Sequence, residues 1–156
     1  MLSQLAQQKI LIHLYDEEEY RQFAYDDKNG QTVKAPIGNL TIALGWNIQE
    51  NGCPKKIAEF AAMYFVNKRD AELSQTIDFY DALDDVRKVV LCDMAYNMGT
   101  LGVLKFKEML AAMQKKDWRT AAIAMLNSKW ANDVGNRAVV LSHMMELGQW
   151  TTANQS

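Results

Sequence analysis

The sequence predicts an α+β fold: a small antiparallel sheet near the N-terminus, one long helix, and then a set of helices. Three observations predict it. Strand-like alternation is confined to about residues 23–46, where successive side chains take opposite sides. From Pro54 onward the apolar residues recur at helical spacing. Turn and cap residues divide the chain in the order helix, sheet, long helix, helices, the pattern of a sheet segregated from its helices. The length, 156 residues, suits one domain or two small lobes sharing a core. With 49% hydrophobic and 23% charged residues the chain is globular, and disordered or collagen-like architectures are excluded. A net charge of −2 argues against a generally basic nucleic-acid binder.

Residues 2–19 read as the first helix, with Leu11, Leu14 and Glu18 on one face. Lys28-Asn29-Gly30 and Pro36-Ile37-Gly38-Asn39 are turn signals. Around them two or three short strands are expected. In the last, Leu40, Ile42, Leu44 and Trp46 point one way, and Thr41, Ala43 and Gly45 the other. Gly52 closes the region and Pro54 opens the long helix as a first-turn proline. That helix is expected over residues 55–78, with Ile57, Phe60, Met63, Tyr64 and Val66 as its early apolar positions. At 1.5 Å per residue it is about 35 Å long, enough to link two lobes. Asp84 or Asp85 caps a helix that runs to Met98 and ends at Gly99. Further helices are expected at about 103–115, 118–129 and 135–147, with Asp117 capping one and Gly148 ending the last.

No run of 18 apolar residues is present, so no transmembrane helix is expected. Gln4, Gln7, Gln8 and Lys9 interrupt the early apolar residues and no cleavage site follows, so the chain is expected to be made in a cytoplasm without an export signal of its own. Cys53 and Cys92 form no metal spacing; two reduced, packed thiols are expected, with a single disulfide left open. His13 and His143 are single and far apart, so no metal site is expected. Met94, Met98, Met125, Met144 and Met145 fall at helical spacing and read as core filler. No phosphate-cradling glycine loop is present, and no cofactor is expected.

The densest polar cluster is Asp16-Glu17-Glu18-Glu19, where the first helix should end. Acidic groups there oppose the helix dipole, an unfavourable placement that hints at function. Of the four, Glu18 continues the apolar face. A carboxyl partly withdrawn from water resists ionisation and can serve as a general acid. Asp26 and Asp27 sit just before a turn, and too few further ligands follow for a calcium loop. Thr41 shares its expected strand face with two small residues, leaving room for a ligand. Each also has a purely structural reading: a solvated acidic helix end, turn stabilisation, a good strand former. Together, a desolvated Glu, an Asp on a turn and a hydroxyl on an open strand are the parts of a carboxylate-pair hydrolase. An inverting glycosidase uses one carboxylic acid to protonate the leaving oxygen and one carboxylate to activate water on the opposite face.

These residues resemble a family. Glu18, then eight residues, Asp27, and later Asn39-Leu40-Thr41-Ile42-Ala43-Leu44-Gly45 look like the catalytic region of the phage-type lysozymes, the T-even phage lysozyme family (glycoside hydrolase family 24). The likeness continues in Leu83-Asp84-Asp85-Val86-Arg87 and Met94-Ala95-Tyr96-Asn97-Met98-Gly99. It resumes at Lys116-Asp117-Trp118, Ala121-Ala122, Asn127-Ser128-Lys129-Trp130, Asn136-Arg137-Ala138 and Gly148-Gln149-Trp150. It covers about residues 10–150 and matches in order in two separate regions.

The resemblance implies a two-lobed lysozyme-like fold as a single domain over residues 1–156. Residues 10–54 would form the sheet lobe with the catalytic residues, 55–80 the connecting helix, 81–150 the helical lobe and 151–156 a tail. It implies a muramidase that hydrolyses the β-1,4 bond between N-acetylmuramic acid and N-acetylglucosamine in peptidoglycan, with inversion. Glu18 would be the general acid, Asp27 the group that orients or activates water, and Thr41 the holder of that water. Arg137 occupies the position of an arginine that pairs with the catalytic glutamate, Tyr96 and Asn97 match positions that line the cleft, and Trp130 reads as a core tryptophan. The implied role is that of a monomeric phage or prophage endolysin. It would wait in the host bacterial cytoplasm until a holin gives access to the wall, with lobe closure about the long helix gating the cleft.

Departures are visible. The 13 residues between Asp27 and Thr41 exceed the family's spacing, so residues 31–38 are expected to form a longer loop at the cleft edge. Ala43 stands where the motif has glycine, and its methyl could narrow the cleft floor; Trp46 replaces a histidine. Ala43 and Trp46 favour a rival: a lysozyme-fold protein of a secretion or tail device that binds peptidoglycan without cutting it. A transglycosylase is the other rival; the presence of both Asp27 and Thr41 argues against it, because anhydro-sugar formation needs no activated water. The type member is strongly basic and this chain is not, so its attraction to an anionic wall should be weaker and less salt-dependent.

Overall fold

The structure, a computed structural model, describes residues 1–18, 20–26, 29, 31–33 and 38–151. The first helix, α1 (Gln4–Glu18), buries Ala6, Ile10, His13 and Leu14, the i, i+4, i+7, i+8 spacing of a helix packed along one stripe. The chain then pairs briefly with itself: Tyr25 bridges Thr32, and the Asp26 and Val33 amides donate to the Gln31 and Ala24 carbonyls. Strands β1 (Thr41–Ile42) and β2 (Trp46–Asn47) follow as an antiparallel pair, with Thr41 opposite Asn47 and Ile42 opposite Trp46.

This pairing corrects the single alternating strand expected through Trp46. Ala43 and Gly45 take φ values of 50° and 84°, left-handed conformations that fold the segment back on itself. Thr41, Ala43 and Gly45 therefore share no strand face. All three are exposed, and Ala43 sits at the hairpin turn rather than on a flat strand floor.

Helix α2 (Ile48–Asn51), absent from the sequence reading, is capped by the Asn47 carbonyl oxygen of its side chain, which accepts from the Gln49 and Glu50 amides. Helix α3 (Lys55–Thr76) has 22 residues, about 33 Å at the standard rise. Its buried positions are Val66, Asp70 and Leu73. The early apolar stripe is a correction: Ile57, Phe60 and Tyr64 are exposed, Phe60 by 73%, while Ala62 and Met63 pack on the core.

A 3₁₀ turn at Tyr80–Ala82 leads to α4 (Asp85–Met98), capped by the Asp84 side chain as expected. Every residue from Val86 to Ala95 is buried, so α4 is the central helix with neighbours on all sides. The expected helix over 103–115 is two, α5 (Thr100–Val103) and α6 (Lys107–Gln114). The expected 118–129 helix stops at Leu126 as α7 (Trp118–Leu126), because the Ser128 hydroxyl caps a new helix, α8 (Lys129–Val134). Then α9 (Asn136–Leu147) ends at Gly148 in the left-handed conformation. Helix α9 packs on α7 and α4, and α1 and α3 pack on α4 and on each other.

Met94, Met125, Met144 and Met145 are fully buried core residues. Trp130 is 8% exposed, stands edge-on to Phe106 at 6.0 Å, and donates its indole N–H to Asn97 Oδ1 at 3.1 Å. Cys92 is buried, Cys53 half-buried, and both are free thiols. Among the described residues no helix is long and apolar enough to cross a membrane.

Candidate active site

Glu18 is the last residue of α1. The face it shares with Leu11 and Leu14 is the wall of an open cleft of about 220 Å³, whose other walls include Tyr20, Tyr25 and Tyr96. The face thus continues as the sequence suggested, but it looks into an open cleft. The Glu18 side chain keeps 46% of its exposure. Withdrawal from water acts instead on Glu17, half-buried beside it, where burial raises the carboxyl above its ordinary value against the pull of Arg137.

One strong partner holds the Glu18 carboxylate. Arg137 Nη1 donates to Glu18 Oε1 at 2.8 Å. Arg137 is the second residue of α9, only 5% exposed, and its Nε donates to Asp93 Oδ1, also at 2.8 Å. Asp93 belongs to α4 and is wholly buried. Burial pushes the Asp93 carboxyl up, and Arg137 pulls it back down. For Arg137 burial opposes the charge, but Asp93 and Glu18 outweigh it and hold the guanidinium above its ordinary value. Three helices, α1, α4 and α9, therefore meet in one chain of charges, Glu18–Arg137–Asp93. Asp93 escaped the sequence reading; its one signal was a charged residue inside an otherwise apolar helix run, Val89-Val90-Leu91-Cys92-Asp93-Met94-Ala95.

Tyr96, one turn beyond Asp93 on α4, is half-buried, and its phenol is raised by burial and by Glu18. Across the cleft the Tyr15 hydroxyl donates to Glu59 Oε1 of α3 at 2.7 Å. Desolvation and that bond push the Tyr15 phenol up to about 12, so it stays protonated. The segment after α1 is tied to the start of α3. The Cys53 amide donates to the Gln22 carbonyl, and Tyr20 donates to the Cys53 carbonyl. Gly52 permits this: φ is +60°, and a Cβ there would lie 2.6 Å from Gln22 Cγ.

Of the residues singled out from the sequence, the structure brings together Glu18, Tyr96 and Arg137. Asn97, next to Tyr96, is exposed and accepts the Trp130 indole bond. Thr41 is not among the side chains lining the Glu18 cleft; it is exposed, and its hydroxyl donates to the Asn39 carbonyl at 3.2 Å. The β1–β2 hairpin instead contributes Ile42 and Trp46 to an adjoining hollow, which shares Arg21 and Tyr25 with the cleft. Asp27 lies outside the described residues, as does the middle of the 31–38 loop. His13 is buried in the core face of α1. Among the described residues no group of three His, Cys, Asp or Glu could hold a metal ion.

Comparison with known proteins bears on this arrangement. The chain is 36% identical over 69 residues to the Dictyostelium discoideum protein named "Probable T4-type lysozyme 1", covering 44% of this chain and 41% of that protein. It is 36% identical over 78 residues to "Probable T4-type lysozyme 2" of the same organism, covering 49% and 46%. The chain thus spans less than half the length of the curated relatives it matches. No protein-family model matches it. The two relatives support assignment to the T4-type lysozymes, and a mostly helical fold with one two-stranded antiparallel sheet is consistent with that assignment.

Proposed function

We propose that the protein is a muramidase that hydrolyses the β-1,4 bond between N-acetylmuramic acid and N-acetylglucosamine in peptidoglycan. The observation that carries this reading is Glu18: a carboxyl at the wall of an aromatic-lined cleft, aimed by an arginine that is itself anchored in the core. Glu18 protonates the glycosidic oxygen as the bond breaks. Tyr20, Tyr25 and Tyr96 offer flat apolar faces for sugar rings and hydroxyls for their edges. Asp27, at the family's spacing from Glu18, activates the water that attacks the opposite face; Thr41, which does not line the cleft in this arrangement, steadies that water once the lobes close about α3. The product then carries inverted configuration.

In the same reading the chain acts as a monomer without cofactor. The sheet lobe of residues 10–54 and the helical lobe of 81–150 close about α3. The narrower biological role is lysis of a bacterial host by a phage or prophage enzyme, released from the cytoplasm through a holin; it rests on the sequence resemblance alone.

Digestion of purified peptidoglycan with mass spectrometry of the fragments tests the reaction. Reducing muramic acid ends are expected. Anhydro ends would assign a transglycosylase. Intact glycan would favour the non-hydrolytic wall-binding alternative, to which Ala43 and Trp46 point. Glu18→Gln should abolish cleavage; a variant that clears walls at the parental rate would remove Glu18 from the mechanism.

A further inference from the structure

A general acid needs to hold its proton, yet the closest charged neighbour of Glu18 is a cation, which favours the ionised carboxylate. The structure contains a counterweight. Asp93 accepts from Nε of the same guanidinium whose Nη1 reaches Glu18. Asp93 is wholly buried and Arg137 nearly so, at 0% and 5% exposure, so their attraction is weakly screened. The remaining atoms of the pair, Asp93 Oδ2 and Arg137 Nη2, have no hydrogen-bond partner among the described residues. Glu17 also attracts the guanidinium through space, but among the described residues only Asp93 and Glu18 hydrogen-bond to it.

We propose that Asp93 is a positioning residue for Glu18, fixing Arg137 by its Nε and neutralising it so that Glu18 receives a directed hydrogen bond without a full counter-charge. This rests on Glu18 being the acid of the proposed muramidase. With both carboxylates ionised the triad carries one negative charge, and one proton makes it neutral. Glu18, half exposed, is the carboxyl that solvent and substrate can reach.

The other groups facing Glu18 leave this balance to Asp93. On α1, His13 is buried on the core side, and Asp16 and Glu17 precede Glu18. Tyr96 faces it from α4 and Arg137 from α9. Along the cleft lie Tyr15, Tyr20, Arg21 and Tyr25, with Glu59 on α3 bonded to Tyr15. Arg137 and Asp93 alone combine direct bonding with burial on this list.

Asp93→Asn tests the idea, because asparagine keeps the size and the oxygen that accepts from Nε but removes the charge. Arg137 would then act on Glu18 undivided. The Glu18 carboxyl signal, followed by NMR with carbon-13 glutamate, should titrate about one pH unit lower than in the parent. The alkaline limb of the peptidoglycan cleavage profile should move by the same amount, with KM unchanged. A merely structural Asp93 would lower stability or the whole profile without moving its limb. An unmoved Glu18 titration in folded Asp93→Asn overturns the proposal. The titration needs no turnover, so a parent that fails to cut peptidoglycan would sink the muramidase reading and leave the electrostatic result to be read separately. If Asp93→Asn does not fold, the parent protein decides: the Glu18 signal should show a second inflection coincident with Asp93, and a single independent step overturns the proposal.

Discussion

Arg137 Nε and Asp93 Oδ1 meet at 2.8 Å in the core, joining the start of α9 to the centre of α4. Removing one partner of such a pair strands the other charge. Arg137→Met should therefore destabilise the protein by about 3–5 kcal/mol at neutral pH. The pH dependence has a definite sign. Burial raises the Asp93 carboxyl above its ordinary 3.8, and a raised carboxyl favours folding most below its unfolded value and loses that contribution as pH rises through the folded one. Loss of Arg137 strengthens the upward push. The stability deficit of Arg137→Met should be smallest below about pH 3.8 and grow as pH rises. Urea unfolding at several pH values measures it; a deficit that shrinks toward neutral pH would contradict this.

Gly52 supports the cleft in a different way. Its φ of +60° is left-handed, and the Gln22 backbone oxygen lies 2.8 Å from where a Cβ would be. Gly52→Ala adds conformational strain and a backbone clash that no side-chain rotation relieves. The expected cost is roughly 2 kcal/mol. The bond from the Cys53 amide to the Gln22 carbonyl should loosen with it. Thermal unfolding reads the first effect, and hydrogen exchange at the Cys53 amide the second. Equal melting temperatures for parent and variant would show that the tie is not built as described.

The helical order was legible because caps and stops are local. Asp84, Asp117, Gly99 and Gly148 each act within one turn of themselves. Glu18 stood out for the same reason, as an acid at the wrong end of a helix. What escaped was non-local. Asp93 gains its meaning from Arg137, 44 residues away, and no window of sequence pairs them. The β1–β2 hairpin escaped because Leu40-Thr41-Ile42-Ala43-Leu44 has strand composition, while the turn depends on Ala43 accepting a conformation alanine disfavours. The early apolar residues of α3 misled because periodicity finds a face but not what covers it.

Ala43 itself offers a simple gain. Its φ of 50° is one that a side chain with a Cβ occupies at a cost of about 1–2 kcal/mol, partly offset by the entropy glycine loses on folding. Ala43→Gly should stabilise the protein by roughly 0.5 kcal/mol, whereas Ala43→Val should destabilise it, because branching at Cβ worsens the same clash. Differential denaturant midpoints resolve the pair. A stabilising valine would show that residue 43 does not hold the left-handed turn in solution.

Thr100 and Glu72 test how α3 is fastened to the helices that follow α4. The Thr100 hydroxyl, 7% exposed, donates to Glu72 Oε2, which also accepts from Arg69 Nη1 at 2.7 Å. These bonds, Thr100 first, hold the Glu72 carboxyl below its ordinary 4.5. Thr100→Val keeps the shape and deletes the hydroxyl. A hydrogen bond to a charged group is worth about 1.5–3 kcal/mol, but Glu72 is 32% exposed and solvent screens part of it. A loss of roughly 1 kcal/mol at neutral pH follows. A depressed carboxyl stabilises the fold above its unfolded value, and that contribution disappears as pH falls through the folded one. The gap between parent and Thr100→Val should therefore be full at neutral pH and close as pH drops below 4.5. Paired urea titrations above and below that value decide it: a gap that persists undiminished in acid would mean the hydroxyl contributes packing rather than a bond to the ionised carboxylate.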